Sequence, residues 1–483
     1  MESIWSKSAK IENHESLRGD METEAVVIGG GLAGILTAFF LCERNIRTIV
    51  LEADRIGSGQ TKNTTAKITS QHNLIYNKLI KQFGREKALQ YAVANQNAIG
   101  EYRRIITDRG IDCSFEERCA YLFSRIPSCV DDIEEEAEAA AGLGIDAQAV
   151  SQTSLPFTVE RAVRFSGQAQ FNPMSFLSVI SKGLDVFEKT KVIDVQGDKV
   201  ITDYGTVTAK HIVFACHFPF INAPGFYFAR MHQERSYVLA LGEAQELNGM
   251  YLGIDKDALS FRNFGNLLLL GGGGHRTGEN SGGAAYAYLQ KRAQELYPES
   301  HEVLRWSAQD CMTLDGVPYI GRFSSSTPNW YVATGFGKWG MTSSMVSAAL
   351  ISDLITGKEN PCAEVFSPSR FTPSASAKSF FEGMGQAAKG IGRQMFSVPQ
   401  ADIDALPLGH GGVVDADGDK AGVYKDEEGK VYIVSTRCPH LGCRLEWNPD
   451  EKSWDCPCHG SRFDYMGNLM DDPAQTDLER IDE

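Results

Sequence analysis

The stretch EAVVIGGGLAG, residues 24–34, decides the fold of the larger part of this chain. Its apolar residues 25–28 fit a buried parallel strand, and residues 32–44 continue with the pattern of a helix. Between the two lie three glycines in G-x-G-x-x-G spacing, namely Gly29, Gly31 and Gly34. A second predicted strand, residues 47–52, ends on Glu52. Such glycines let the backbone approach a pyrophosphate at a helix N-terminus, while the acid accepts hydrogen bonds from ribose hydroxyls. The pattern predicts an α/β nucleotide-binding domain.

A second motif lies near the C-terminus, in two short Cys/His sequences with fifteen residues between His440 and Cys456. They read Cys438-Pro-His440-Leu-Gly-Cys443 and Cys456-Pro-Cys458-His459-Gly-Ser461. Two thiolates and two imidazoles can hold an iron–sulfur cluster with the thiolates on one iron and the imidazoles on the other. The alternative is a zinc site, although zinc sites usually separate paired cysteines by two to four residues. The motif resembles the Rieske 2Fe-2S domain, which implies the iron ligands Cys438, His440, Cys456 and His459.

The same resemblance implies roles for residues beside these ligands. In respiratory-type Rieske proteins a disulfide joins the two cluster loops at the positions of Cys443 and Cys458. The alternative is two free buried thiols, because the cytosol keeps thiols reduced. Ser461 stands where a hydroxyl donates a hydrogen bond to a cluster sulfur. High-potential members carry Tyr where this chain has Phe463, so we expect a midpoint potential below the top of the Rieske range.

Composition narrows the possible partners. The chain has 483 residues and a formal net charge of −15, which argues against nucleic acid as a main partner. No apolar run approaches the roughly eighteen residues that a membrane span needs. The first twenty residues are polar and lack the apolar core of a signal peptide, so we expect a cytoplasmic location without membrane attachment. The expected partners are a small-molecule substrate and an external one-electron donor or acceptor.

The region from the glycine motif to residue 362 resembles flavoenzymes of the D-amino-acid oxidase and glycine oxidase type. The resemblance rests on the loop GSGQTKNTTAKITSQH at 57–72, the strand at 191–193 and the glycine-rich loop before the helix at 342–356. It implies bound FAD, roofed by an antiparallel substrate sheet at roughly 220–310. The alternative for residues 57–72 is a polar surface loop. Besides Gly29, Gly31, Gly34 and Glu52, the implied cofactor contacts are Thr64, Thr65, Lys67, Val192, Gly335, Gly337, Gly340 and Met341.

No strong acid–base constellation stands out, which is typical of amine dehydrogenation, where the flavin does the chemistry and the protein orients the substrate. The candidate catalytic residues are Arg262, Lys338, Gln309 and His72. Arg262 could clamp a substrate carboxylate, the alternative being a surface ion pair. His72 could accept a proton, the alternative being a structural histidine. Covalent attachment of flavin at Cys311 stays open.

These patterns predict an N-terminal extension (1–22), a flavin oxidoreductase domain (23–362), a linker (363–399) with a short helix at 377–389, and a Rieske domain (400–483). The expected fold class is an α/β Rossmann-like FAD domain with an inserted antiparallel sheet, followed by an all-β Rieske domain. We expect a cytosolic FAD-dependent oxidoreductase that oxidises a small amine or amino acid and passes electrons singly through a 2Fe-2S cluster. The alternative is a redox sensor or electron-transfer protein without small-molecule turnover.

Overall fold

The structure, a computed structural model, describes residues 2–370, 405–416 and 419–481. The chain forms two compact units. Unit 1 comprises residues up to 217, 236–273 and 286–370, and unit 2 comprises 218–235, 274–285 and the described residues after 404. Within the described ranges, no helix is both long enough and apolar enough to cross a membrane.

The first sheet of unit 1 contains the predicted nucleotide-binding strands. Its strand order is β16-β17-β10-β1-β2-β7, and β9 pairs with both β10 and β8. The bounds are β1 Met21–Ile28, β2 Thr48–Leu51, β7 Asp185–Phe187, β8 Val192–Gln196, β9 Lys199–Thr202, β10 Gly205–Phe214, β16 Tyr319–Ser324 and β17 Thr327–Thr334. Strand β1 pairs in parallel with β2 and β10, as the buried apolar run at 25–28 predicts.

The second sheet of unit 1 has nine strands in the order β15-β11-β14-β13-β12-β4-β6-β3, with β5 beside β6. The bounds are β3 Lys67–Ile68, β4 Glu116–Ser124, β5 Ala147–Val150, β6 Arg161–Gln170, β11 Met231–Gly242, β12 Gly249–Gly253, β13 Ser260–Phe264, β14 Leu267–Arg276 and β15 His301–Thr313. Four of these strands come from residues 67–170, before the range 220–310 that the sequence predicts for the substrate sheet. Within that range, residues 220–235 and 274–285 belong to unit 2.

Helices complete unit 1. They are α1 Leu32–Glu43, α2 Tyr76–Phe83, α3 Arg85–Arg109, α4 Val130–Gly142, α5 Pro173–Ile180, α6 Ala285–Leu296, α7 Gly340–Thr356 and α8 Ala363–Phe366. Helix α1 is apolar on almost every face because it is buried, and it packs against α7. The first residues of the predicted linker, 363–370, also belong to this unit, where Arg370 donates from Nε to Asp315 at 2.9 Å. The predicted helix at 377–389 and the predicted domain start at 400 lie outside the described residues.

The described C-terminal part of unit 2 consists of two small antiparallel sheets, β18-β19-β20 and β21-β22-β23-β24. The bounds are β18 His410–Ala416, β19 Asp419–Lys425, β20 Val431–Ser435, β21 Glu446–Asn448, β22 Ser453–Asp455, β23 Arg462–Asp464 and β24 Leu469–Asp471. Their core contains Trp454 and Phe463, both fully buried. A Cβ at Gly422 would lie 2.8 Å from the Trp454 ring, so the strand must carry glycine there. These sheets confirm the predicted all-β C-terminal fold.

Candidate functional site

The turn between β1 and α1 is built from glycines that have no room for a side chain. Gly29 has a φ of +111°, and a Cβ on it would lie 2.6 Å from the carbonyl oxygen of Ala215. A Cβ on Gly34 would lie 1.9 Å from the carbonyl oxygen of Gly29. Helix α1 begins after Gly31, which provides no side-chain cap for the helix N-terminus. The Leu32 N–H donates to Thr61 Oγ1 at 3.0 Å, and the positive end of the helix at this turn suits a pyrophosphate.

Glu52, directly after β2, lies beside this turn. Its Oε2 accepts a hydrogen bond from the Gly30 N–H at 2.6 Å, and its Oε1 accepts one from the Asp54 N–H at 2.7 Å. Burial raises the pKa of the Glu52 carboxyl, and the two backbone donors oppose that rise. The structure therefore places the predicted ribose-binding acid next to the predicted pyrophosphate-binding turn. Its contact with FAD stays a prediction.

The loop that the resemblance places under the flavin is held in place by hydrogen bonds that the backbone carbonyls of four successive residues, 63–66, accept. The indole Nε1–H groups of Trp306 and Trp5 donate to Asn63 O at 2.9 Å and to Thr64 O at 2.7 Å, respectively. Arg262 donates from Nη1 to Thr65 O at 2.6 Å and to Ala66 O at 2.8 Å. Sequence reasoning missed both tryptophans, because nothing local indicates that Trp5, in the N-terminal extension, or Trp306, 243 residues after Asn63, reaches this loop.

Arg262 is a buried positioning group in this structure rather than a surface residue. It is 1% exposed, and its partners are backbone carbonyls rather than a carboxylate. Burial lowers the pKa of its guanidinium to about 9. Its Nη2 is buried and finds no hydrogen-bond partner within the described ranges, and its guanidinium lies 5.5 Å from the centre of the Trp5 ring. A further acceptor, from a cofactor or a substrate, would satisfy that nitrogen.

Lys67 is a second buried cation of the same loop. It donates from Nζ to Tyr251 O at 3.1 Å and to Ser260 Oγ at 2.5 Å. Burial, together with the positive charge of Arg262, lowers the pKa of Lys67 to about 7. The positive charges of Lys67 and Arg262 repel each other, and an anionic or electron-rich ligand nearby would offset that repulsion. This agrees with the prediction that Lys67 contacts the cofactor, without testing it.

His72 has both ring nitrogens engaged. Nδ1 lies 2.6 Å from Tyr91 Oη, and Nε2 lies 2.6 Å from the Thr69 carbonyl oxygen. The ring stacks on Trp339 with 4.7 Å between centres, and burial lowers the pKa of His72 to about 3. The geometry thus favours the structural alternative for this histidine, which remains neutral.

The remaining predicted residues of unit 1 lie at several places. Gln309 is buried, and its backbone N–H donates to Gln60 Oε1 at 2.9 Å, whereas Lys338 is exposed. Val192 begins β8 and Met341 is buried in the first turn of α7. The glycine loop ahead of α7 turns with φ of +70° at Gly335 and +56° at Gly337, and Gly340 is the first residue of that helix. These contacts with FAD stay predictions.

Cys311 lies in the interior of unit 1. Its thiol is fully buried, and burial raises its pKa to about 12. The thiol is therefore protonated near neutral pH and is a poor nucleophile. The arrangement does not favour attachment of flavin at this position.

In unit 2, the two Cys/His sequences form a matched pair of tight loops. The Gly442 N–H donates to Cys438 O at 2.9 Å, and the Gly460 N–H donates to Cys456 O at 3.0 Å. Both glycines have positive φ, +78° and +85°. A disulfide between Cys443 and Cys458 joins the loops, as the resemblance implies.

The four predicted ligands fit a 2Fe-2S cluster. The Nδ1 atoms of His440 and His459 are buried and have no hydrogen-bond partner among the residues that the structure describes, which leaves them available to a metal. The two rings lie 4.8 Å apart, and burial lowers the histidine pKa values to about 4 for His440 and about 3 for His459. Both imidazoles are therefore neutral, which is the form that binds metal. The thiol of Cys456 contacts that of Cys438, and this contact is the main cause of a lowered pKa at Cys438.

Other sulfur atoms lie close by. The Sγ atoms of Cys443, Cys456 and Cys458 lie within 4.8 Å of one another, but the disulfide removes two of them as ligands. Ser461 Oγ accepts from the Ala474 N–H at 2.9 Å and also hydrogen-bonds the Cys438 thiol. The hydroxyl proton of Ser461 thus remains available for a sulfur, as the resemblance implies.

Residues 218–235, here called the covering segment, contact the histidines. Asn222 Oδ1 lies 2.9 Å from His440 Nε2, and the Phe228 ring centre lies 5.7 Å from that of His459. Gln233 donates from Nε2 to His459 O at 2.8 Å. A Cβ on Gly460 would lie 2.5 Å from Gln233 Cβ, so the cluster loop must carry glycine where the segment crosses it. No sequence signal indicated these contacts.

Comparisons with known proteins agree with this description. A family model described as FAD dependent oxidoreductase matches residues 24–354, and one described as Rieske 2Fe-2S domain matches residues 397–482. The chain is 37% identical to a Bacillus subtilis (strain 168) protein provisionally named Rieske 2Fe-2S iron-sulfur protein YhfW. That alignment covers 100% of this chain and 97% of the relative.

Solved structures resemble the larger part of the chain. Glycine oxidase from Geobacillus kaustophilus has a TM-score of 0.59 at 20% identity, covering 73% of this chain and 99% of that protein. L-proline dehydrogenase from P. horikoshii has a TM-score of 0.60 at 18% identity, covering 74% of this chain and 98% of that protein. At these identities the likeness concerns the fold alone, and it confirms the predicted fold class.

Proposed function

The chain belongs to the FAD-dependent oxidoreductase family and ends in a Rieske 2Fe-2S domain, and from this premise we propose that it oxidises a small amine or amino acid. Loss of a hydride from the α-carbon and a proton from the nitrogen would leave an imine. When bound, FAD takes up the electron pair and releases it singly, while the cluster carries one electron at a time. The predicted recipient of these electrons is an external one-electron acceptor. The cytosolic location stays a prediction.

The residues of unit 1 supply binding and charge rather than acid–base chemistry. The glycine turn and Glu52 suit the dinucleotide part of FAD, as their geometry indicates. Arg262 and Lys67 place two buried basic side chains at the loop predicted to lie under the flavin, and Lys67 is only partly protonated near neutral pH. Positive groups there stabilise negative charge that develops on a cofactor or on a substrate carboxylate. Arg262 itself holds the loop carbonyls, so a clamp on substrate would use only its Nη2.

One observation carries the link between substrate oxidation and the cluster. The covering segment lies within the region matched by the FAD oxidoreductase family, yet it packs on both ligand histidines. The two histidine ligands of the predicted cluster therefore contact a segment that belongs to the matched FAD oxidoreductase sequence. That supports an internal partner for the cluster, in either direction of electron flow.

Anaerobic titration of the holoprotein with a panel of amines and amino acids tests this proposal. Flavin absorbance reports substrate oxidation, and EPR of the cluster reports electron delivery. A substrate that bleaches the flavin and produces the signal of the reduced cluster supports the proposal. If none of the panel bleaches the flavin while dithionite reduces both centres, the alternative of a redox sensor or electron-transfer protein is favoured.

A further inference from the structure

Asn222 and His440 form a polar contact between the covering segment and a predicted iron ligand. Asn222 Oδ1 lies 2.9 Å from His440 Nε2, although 218 residues separate them in sequence. On the other side of the ring, His440 Nδ1 is buried and has no hydrogen-bond partner in the described part of the chain. The two nitrogens of this imidazole therefore face two different environments.

These environments select one tautomer. If Nδ1 binds iron, the neutral ring must carry its proton on Nε2. Nε2–H then donates to Asn222 Oδ1, which fixes the plane of the ring and makes the imidazole a stronger electron donor to the metal. The Phe228 ring, centred 6.3 Å from His440 and 5.7 Å from His459, covers the same area with apolar surface. A hydrogen bond beside such surface is weakened less by water than an exposed one.

We propose that Asn222 is a positioning residue for the cluster, which orients His440 and lowers the midpoint potential of the cluster. The negative end of the amide dipole faces a ligand of the redox centre, so it opposes addition of an electron. The role requires only the predicted ligand set. It goes beyond the proposed amine oxidation and does not depend on it, because the cluster can be reduced chemically without any substrate.

The test is a potentiometric titration of the holoprotein with redox mediators, followed by EPR of the reduced cluster. Asn222→Leu removes the acceptor at similar volume and is expected to raise the midpoint potential. Asn222→Asp places a carboxylate at the same position and is expected to lower it below that of the wild type. Pulsed EPR should still detect two coordinated imidazole nitrogens in both variants, with the coupling of one of them altered.

Asn280→Ala is the matched control. Asn280 also belongs to unit 2, and its side-chain amide donates to Asp450 Oδ2 at 3.0 Å and to Asn448 Oδ1 at 3.3 Å, so its loss should leave the potential unchanged. Equal midpoint potentials in wild type, Asn222→Leu and Asn222→Asp at full cluster content would overturn the proposal. If Asn222→Leu binds no cluster, the comparison of wild type with Asn222→Asp decides alone, and an unchanged or raised potential in Asn222→Asp refutes the proposal.

Discussion

Arg235 and Glu451 form a buried ion pair, in which Arg235 Nε donates to Glu451 Oε2 at 3.0 Å and each side chain is only 2% exposed. Arg235 belongs to the covering segment, whereas Glu451 lies between β21 and β22. Arg462 also contacts Glu451, at 3.2 Å, and Asp455, at 2.9 Å. The pair therefore ties the covering segment to a buried charge network of the C-terminal sheets.

Replacing Arg235 should destabilise unit 2. Arg235→Met leaves Glu451 with fewer compensating charges in the interior, and breaking a buried pair in this way costs about 3–5 kcal/mol. Loss of cluster absorbance during urea unfolding measures the effect. Arg480→Leu is the control, since Arg480 is exposed and should cost less than about 1 kcal/mol. Equal urea midpoints of unfolding for Arg235→Met and Arg480→Leu would contradict a stabilising role of the Arg235–Glu451 pair.

Phe463→Tyr should raise the midpoint potential of the cluster. Phe463 is fully buried on β23, close in sequence to Ser461, and a hydroxyl there could donate a hydrogen bond toward the cluster sulfurs. A bond worth about 1 kcal/mol more in the reduced state corresponds to a rise of about 40 mV for one electron. Mediated redox titration measures the shift. Phe463→Leu, which adds no donor, should show no such rise, and a lower potential in the tyrosine variant would refute the argument.

Trp5 should affect retention of FAD although it lies in the N-terminal extension. Trp5→Phe keeps a ring against Arg262 but removes the hydrogen bond to Thr64 O. That bond is worth about 1 kcal/mol, so its loss should weaken FAD binding by at most roughly fivefold. Trp5→Ala also leaves a cavity and should weaken binding further. The rise in flavin fluorescence as FAD dissociates on dilution measures the FAD affinity of both variants.

The control for Trp5 is Trp330→Phe. Trp330 donates from Nε1 to Gly197 O at 2.7 Å, a comparable bond that does not involve the 63–66 carbonyls. FAD affinity should remain unchanged in this variant. If Trp330→Phe and Trp5→Phe release flavin equally, the indole bond to the loop has no special role.

Lys67 should make the stability of the flavin-free protein depend on pH. Burial lowers its folded pKa to about 7 from 10.5, so between these values the unfolded chain binds a proton that the folded protein lacks. The free energy of unfolding should therefore rise with pH across this window, by at most about 5 kcal/mol from this group. In Lys67→Met this rise should be missing, and the variant's gain over wild type should be largest below pH 7. A pH-independent difference between the two proteins would show that Lys67 titrates normally.

Features encoded by short stretches of sequence could be predicted. The β1–α1 glycine turn and the two cluster loops depend on residues a few positions apart, where spacing and backbone freedom determine geometry. Glu52 was predicted beside the glycine turn because it ends the neighbouring parallel strand. The disulfide followed from the resemblance rather than from spacing alone.

Contacts between distant parts of the chain could not be predicted in the same way. Arg262 was expected at a substrate or at the surface, because its sequence does not reveal that carbonyls 197 residues earlier occupy its guanidinium. Trp5 and Asn222 have no motif of their own. Their positions depend on how the extension and the covering segment pack, which single-sequence patterns do not encode.

Rapid anaerobic mixing with a flavin-reducing substrate, followed by freeze-quench EPR at several protein concentrations, tests whether electrons pass from the flavin to the cluster within one molecule. We expect flavin absorbance to bleach first and the signal of the reduced cluster then to rise at a rate independent of protein concentration. In Cys438→Ser, which lacks one predicted ligand, the flavin should bleach without that signal. Bleached flavin beside an oxidised cluster in the wild type, or cluster reduction proportional to protein concentration, would contradict an internal relay.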